Sequence, residues 1–132
     1  MKKYPNVTIK AILKYGNKIL ILRHKNGNYD FPGGRLEFYE PLLDALQREL
    51  KEELNFTVSV DPRLFHIWNY ISKNRRRHSV MIYYIYFINK IPKLISPEKL
   101  KILWLSEKQM GKIIHDHEFV KKLYHSKNCK ND

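Results

Sequence analysis

The chain has 132 residues, 43% of them hydrophobic, and a formal net charge of +12 from 25 Lys plus Arg against 13 Asp plus Glu. That length predicts one domain over residues 1–132, and that apolar content excludes a disordered chain. The single cysteine, Cys129, excludes an internal disulfide and a cysteine-based zinc site, which fits a reducing, cytoplasmic setting. The start, MKKYPNVTIK, has no apolar core of a secretory signal, and the longest apolar run, Val80 to Ile88, is too short to span a bilayer as a helix. No membrane partner is expected. The basic excess favours polyanions such as nucleotides or nucleic acid, against the plainer reading of a surface charged for solubility.

Val7, Ile9, Ala11, Leu13 and Tyr15 alternate with Thr8, Lys10 and Lys14, which predicts a half-buried strand. Gly16-Asn17 turns the chain into a second strand, Lys18 to Leu22, making a hairpin. A further turn at Lys25–Asn28 precedes Tyr29-Asp30-Phe31-Pro32-Gly33-Gly34. A helix is expected from Pro41, a residue suited to the first helical position, with Leu43, Leu46, Leu50 and Leu54 as its apolar stripe and Asn55 as a left-handed cap. Thr57–Val60 and Leu64–Tyr70 read as strands, followed by the basic loop Lys73-Asn74-Arg75-Arg76-Arg77-His78. Val80–Ile88 is apolar on both faces and reads as a central strand, with another strand at Lys101–Leu105. Ser106 with Gln109 is a capping box for a helix, and Asp116 caps a last helix carrying Phe119, Val120 and Leu123. Strands and helices mix without regular alternation, so the fold class is α+β, a mixed sheet flanked by helices.

The predicted helix carries the chemistry. Glu49, Glu52 and Glu53 have i, i+3, i+4 spacing and share one helix face. Like charges this close destabilise a helix, so their clustering points to a cation beside them. Carboxylates without Cys or His select a hard dication, Mg²⁺ or Mn²⁺. The glutamate face lies beside the leucine stripe, at the rim of the core, where a cleft forms.

Gly34, Glu40 and the run Arg48-Glu49-Leu50-Lys51-Glu52-Glu53 stand at the spacing Gly, five residues, Glu, seven residues, Arg-Glu-hydrophobic-any-Glu-Glu. This resembles the Nudix box, the signature of hydrolases that cleave nucleoside diphosphates linked to another moiety. Phe31-Pro32-Gly33-Gly34 is similar to the family's entry into that motif, and Trp104-Leu105-Ser106 to its late strand and helix. Two positions depart from the pattern: Asn55 stands where the family usually has Gly, and Tyr39 replaces a common glycine. The resemblance implies an α/β/α sandwich with a catalytic strand-loop-helix at about residues 31–55. It implies Glu52 and Glu53 as metal ligands, Glu49 as ligand or general base, and the backbone carbonyl of Gly33 as a further ligand. It gives Arg48 the task of orienting the catalytic glutamate and pairing with Glu40, with Gly34 and Glu40 as structural support. Arg35, Glu37 and Tyr39 are weaker candidates for substrate contact. Glu98, in a loop before a late strand, is a candidate extra acid at the metal, against the reading of a solvated loop residue.

The expected activity is metal-dependent hydrolysis of a nucleoside diphosphate derivative, first a nucleoside triphosphate or its oxidised form to the monophosphate and pyrophosphate. Alternatives are dinucleoside polyphosphates or RNA 5′ ends, and a non-catalytic nucleic-acid-binding module. The loop Lys73–His78 reads first as a solvated hairpin tip and otherwise as a grip for a long substrate's phosphates. Trp68, Tyr83, Tyr84 and Tyr86 hold a candidate base-stacking residue, with none singled out. The protein is expected as a monomer or homodimer.

Overall fold

A computed structural model describes residues 3–128, so Cys129 lies outside the described residues. Strands β1 (Asn6–Tyr15) and β2 (Lys18–Arg23) form the expected hairpin, pairing at Lys14–Ile19 and Tyr15–Lys18. Beyond those pairs the two strands part like a fork. β3 (Tyr29–Asp30) pairs with β2 at Leu22 and Arg23, and β4 (Gly33–Arg35) pairs with β1 at Thr8–Lys10. The short link between them is tied to β1 by the Ala11 N–H, which donates to the Pro32 carbonyl at 2.8 Å.

On its other edge β1 runs parallel to β6 (His78–Phe87), and β6 pairs antiparallel with β5 (Arg63–Ile71). β7 (Lys101–Leu105) pairs antiparallel with β2. The result is one mixed seven-stranded sheet in the order β3-β2-β1-β6-β5, with β4 and β7 joined at its fork and side. α1 (Leu42–Leu54) covers one face, packing Ala45, Leu46, Leu50 and Leu54 on Ile9, Ala11, Leu13 and Tyr86. α2 (Glu107–Gly111) and α3 (His117–His125) cover the other, packing Met110, Val120 and Leu123 on Ile12, Ile19, Ile21 and Ile85. This is the expected sandwich of helix, sheet and helix. Among the described residues no helix is long and apolar enough to cross a membrane.

Most caps are as the sequence predicts. Ser106 and Gln109 form a complete capping box, Asp116 accepts the Phe119 N–H, and Asn55 closes α1 at φ 50°, ψ 42°. Four expectations need correction. Pro41 is the residue before α1, extended at ψ 148°, and not its first turn. Leu43 leaves the stripe: it is 43% exposed, and Ala45 is buried with Leu46, Leu50 and Leu54 instead. Residues 57–60 form no strand; the Gln47 side-chain amide donates to the Val58 carbonyl at 3.2 Å and accepts its N–H at 3.4 Å, replacing a partner strand. β1 is not half-buried, because α3 and the β3–β4 fork cover its second face, so Lys10 and Lys14 are both buried. Lys14 Nζ donates to the carbonyls of Leu123, Tyr124 and Ser126 at 2.8–3.0 Å, serving as a C-terminal cap for α3.

Candidate active site

The fork brings backbone close to backbone, and only glycine fits there. Gly33 has φ +145°, and a Cβ on it would lie 2.0 Å from the Ile9 carbonyl oxygen. A Cβ on Gly34 would lie 2.4 Å from the Glu49 carboxylate. Gly34 thus leaves the space that Glu49 fills. The Gly33 N–H in turn donates to Glu53 Oε1 at 2.7 Å. Gly33 and Gly34 are thus set against Glu53 and Glu49 of α1 at the fork between β1 and β2.

Arg48 organises the remaining charge. Its guanidinium grips Glu40 with two parallel bonds, Nε to Oε2 at 2.7 Å and Nη2 to Oε1 at 3.0 Å. Nη1 donates to Glu49 Oε1 at 2.9 Å and reaches Glu52 Oε2 at 3.5 Å, and Nη2 also donates to the Arg35 carbonyl at 3.0 Å. Glu37 stands 3.9 Å away. The bond from Arg48 holds the Glu40 carboxyl below the usual carboxylate range, and Glu40 also accepts the Glu37 N–H. Arg48 is itself pushed above its ordinary value, chiefly by Glu40. Part of the cation that the acidic cluster requires is therefore this internal arginine.

Glu53 differs from its neighbours. Burial pushes its carboxyl up to about 7, against the Gly33 N–H and the Lys10 ammonium, while Glu49 and Glu98 push the same way as burial. Glu98, exposed on its loop, is thus close enough for its charge to be felt at Glu53. Glu49 is tucked in at 14% side-chain exposure and Glu52 faces solvent at 58%. Among the described residues no three carboxylate, His or Cys side chains are gathered as a metal site: Glu49 is turned to Arg48, Glu53 to Gly33 and Glu52 outward. The donor set still fits a hard dication, since it is all oxygen, lies on one helix face and includes a half-buried carboxyl with raised proton affinity that a cation would relieve.

The structure brings together Gly33, Gly34, Glu40, Arg48, Glu49 and Glu53, with Glu52 and Glu37 at the margin. It enlists Arg35 only through its backbone. Tyr39 is 92% exposed, its ring 4.3 Å from that of Phe38, and its backbone is left-handed at φ 66°. That conformation explains why a glycine is the commoner residue there.

A cavity of about 510 Å³ opens on the opposite face of the sheet. Tyr29, Phe31, His66, Trp68, Tyr83 and Phe119 line it with rings, and Asp30 and Asp116 supply carboxylates. Buried Lys10 joins it to the acidic side: Nζ donates to Asp30 Oδ2 at 2.8 Å and to the Phe31 carbonyl at 3.3 Å, and its charge reaches Glu53. Trp68 Nε1 donates to the Tyr83 hydroxyl at 3.3 Å. Of the four aromatic candidates, Trp68 and Tyr83 meet the cavity and Tyr86 is core. Sequence reasoning missed Lys10, Asp30, His66, Asp116 and Phe119. The one available signal was a lysine on a strand whose polar face was assumed wet.

The fold is shared with known proteins. The family model of the NUDIX domain matches residues 4–126, and the chain belongs to that family: it is a Nudix hydrolase. It is 27% identical over 133 residues to an ADP-ribose pyrophosphatase of Methanocaldococcus jannaschii, covering 94% of this chain and 78% of that one. Its fold superposes on a MutT Nudix hydrolase from Burkholderia pseudomallei with a TM-score of 0.76 at 21% identity, covering 94% of this chain and all 100% of the other. A MutT protein from Bacillus halodurans gives a TM-score of 0.74 at 22% identity, covering 92% and 83%.

Proposed function

We propose that the protein hydrolyses the diphosphate linkage of a nucleoside triphosphate, plain or oxidised, to the monophosphate and pyrophosphate, with Mg²⁺ or Mn²⁺ held by Glu49, Glu52, Glu53 and the Gly33 carbonyl. The observation that carries this is the lock between Gly33–Gly34 and Glu49–Glu53, which sets ionisable carboxylates against a backbone with no side chain to block a phosphate. A dication there would neutralise phosphate charge and acidify a water. Arg48 and Glu40 hold Glu49 in place. Glu53, with its carboxyl pushed up to about 7, gains and loses a proton near neutral pH. Glu98, whose charge is felt at Glu53, is the candidate for a further acid. The aromatic cavity accepts the base, and Lys10 lies between base and phosphates. The relative from Methanocaldococcus jannaschii makes ADP-ribose the natural competitor substrate.

The test is turnover of purified protein with Mg²⁺ or Mn²⁺ on nucleoside triphosphates, their 8-oxo forms, ADP-ribose and dinucleoside polyphosphates. Equal amounts of monophosphate and pyrophosphate from a triphosphate are expected. Release of orthophosphate alone, or turnover confined to ADP-ribose, contradicts the reading.

A further inference from the structure

The antiparallel hairpin of β5 and β6 carries at its turn the most basic run among the described residues, and nothing in the catalytic reading uses that turn. Its tip, residues 72–77, is an ordered turn. The Ser72 N–H donates to the Arg77 carbonyl at 2.9 Å, Asn74 Oδ1 accepts the Arg76 N–H at 3.0 Å, and Ser72 Oγ accepts the Arg77 N–H at 3.0 Å. The turn holds out Lys73, Arg75, Arg76 and Arg77, all exposed. None of the ion pairs among the described residues involves them. A turn built only for chain reversal has no use for four uncompensated cations that repel one another.

A second feature is continuous with the first. On β5 the residues His66, Trp68 and Tyr70 are opposite Tyr83, Met81 and Ser79 of β6, so all share one face. His66, Trp68 and Tyr83 line the aromatic cavity. Trp68 and Tyr70 are 45% and 44% exposed, in line between cavity and tip. β5 is the edge strand of the sheet, so the sheet continues no further on that side. Rings at alternate strand positions recur every ~7 Å. Stacking platforms in series, ending at a cationic turn, are the two components by which proteins hold single-stranded nucleic acid.

We infer that the row Trp68–Tyr70 and the turn Lys73–Arg77 form a binding track for single-stranded nucleic acid, leading to the cavity that the proposed function gives to the base. The rings take bases by stacking, and the turn takes backbone phosphates. Only the end point of the track rests on the proposed function. A strand of either sugar satisfies this chemistry, and the experiment separates the two.

The experiment is fluorescence anisotropy of the full chain with labelled ten-nucleotide oligo-uridine and oligo-thymidine in EDTA, so that no hydrolysis occurs. Both strands should bind, with log affinity falling against log salt at a slope of about −2 to −3 for four contacted phosphates. Tighter binding of the uridine strand identifies RNA as the ligand, and equal binding identifies the shared phosphate and base chemistry. The variant Lys73→Ala, Arg76→Ala, Arg77→Ala keeps Ser72, Asn74 and left-handed Arg75. It should bind at least about tenfold more weakly with a flatter slope. Tyr70→Ala, on an exposed side chain, should lose about tenfold in affinity with the slope unchanged. Circular dichroism checks that both variants fold. Absence of binding, or parent-like affinity in both folded variants, overturns the track. So does a dimer that the triple variant dissociates, since the hairpin would then be covered by a second copy. Nucleotide turnover is measured separately in Mg²⁺, so failure of the track leaves the catalytic reading standing, and failure of turnover leaves the track standing.

Discussion

Arg48 lets Glu49 and Glu52 share a helix face, because its two-pronged hold on Glu40 fixes the guanidinium beside both. Arg48→Lys keeps the charge but loses the fork. It should weaken Mn²⁺ binding about 10–100-fold, as expected for a residue that orients ligands without being one. Calorimetric titration checks this, and wild-type affinity would remove Arg48 from its positioning role. The two glycines separate fold from chemistry. Gly33→Ala should cost about 3 kcal/mol or more, since its Cβ meets rigid backbone. Gly34→Ala should fold, because the side chain of Glu49 can move aside, yet lose activity with that displacement. Thermal melts and turnover on the two proteins distinguish these outcomes. At this scale the box was readable because its spacing specifies helix, face and charge together. Lys10 was not, because strand alternation assigns a face but not what covers it.

Among the elements, α3 and the loop before α1 respond in opposite directions. Lys14→Met should leave three carbonyls at the end of α3 without their donor and cost about 2 kcal/mol, or roughly 8 °C in Tm. Tyr39→Gly should raise Tm by about 4 °C, because it relieves about 1 kcal/mol of left-handed backbone strain. Scanning calorimetry reads both. A fall in Tm for Tyr39→Gly would mean that the exposed ring pair contributes more than the strain costs. The hairpins, α1 and the capped helices were legible from local pattern, since turn and cap residues act within a few positions. The fork was not: β3 and β4 are two and three residues long and exist only because β1 and β2 diverge. The same limit explains Thr57–Val60, whose backbone is satisfied by a side chain from α1.

Across the whole molecule, the sheet separates an acidic face from an aromatic cavity, and Lys10 reaches toward both. Glu53 binds its proton more tightly folded than unfolded, at about 7 against 4.5. Its share of stability is therefore present below about pH 4.5 and is lost as pH rises through 7. A metal needs the ionised carboxylate, so the gain in Tm from Mg²⁺ should be small at pH 5.5 and large at pH 8. Melts with Mg²⁺ and with EDTA at the two pH values test this, and a gain independent of pH contradicts it. The charge of +12 was plain in the sequence, but its focus at the end of a ring-lined strand appeared only when β5 and β6 were paired.

The glutamates of α1 are the proposed reaction centre. The most direct test is the Mg²⁺-dependent turnover number of Glu52→Gln, Glu53→Gln beside that of the parent, on whichever nucleotide the parent cleaves fastest. The double variant should fold, with turnover lower by more than the about 100-fold attributable to outer partners. Parent-like turnover in that folded variant would place the chemistry elsewhere.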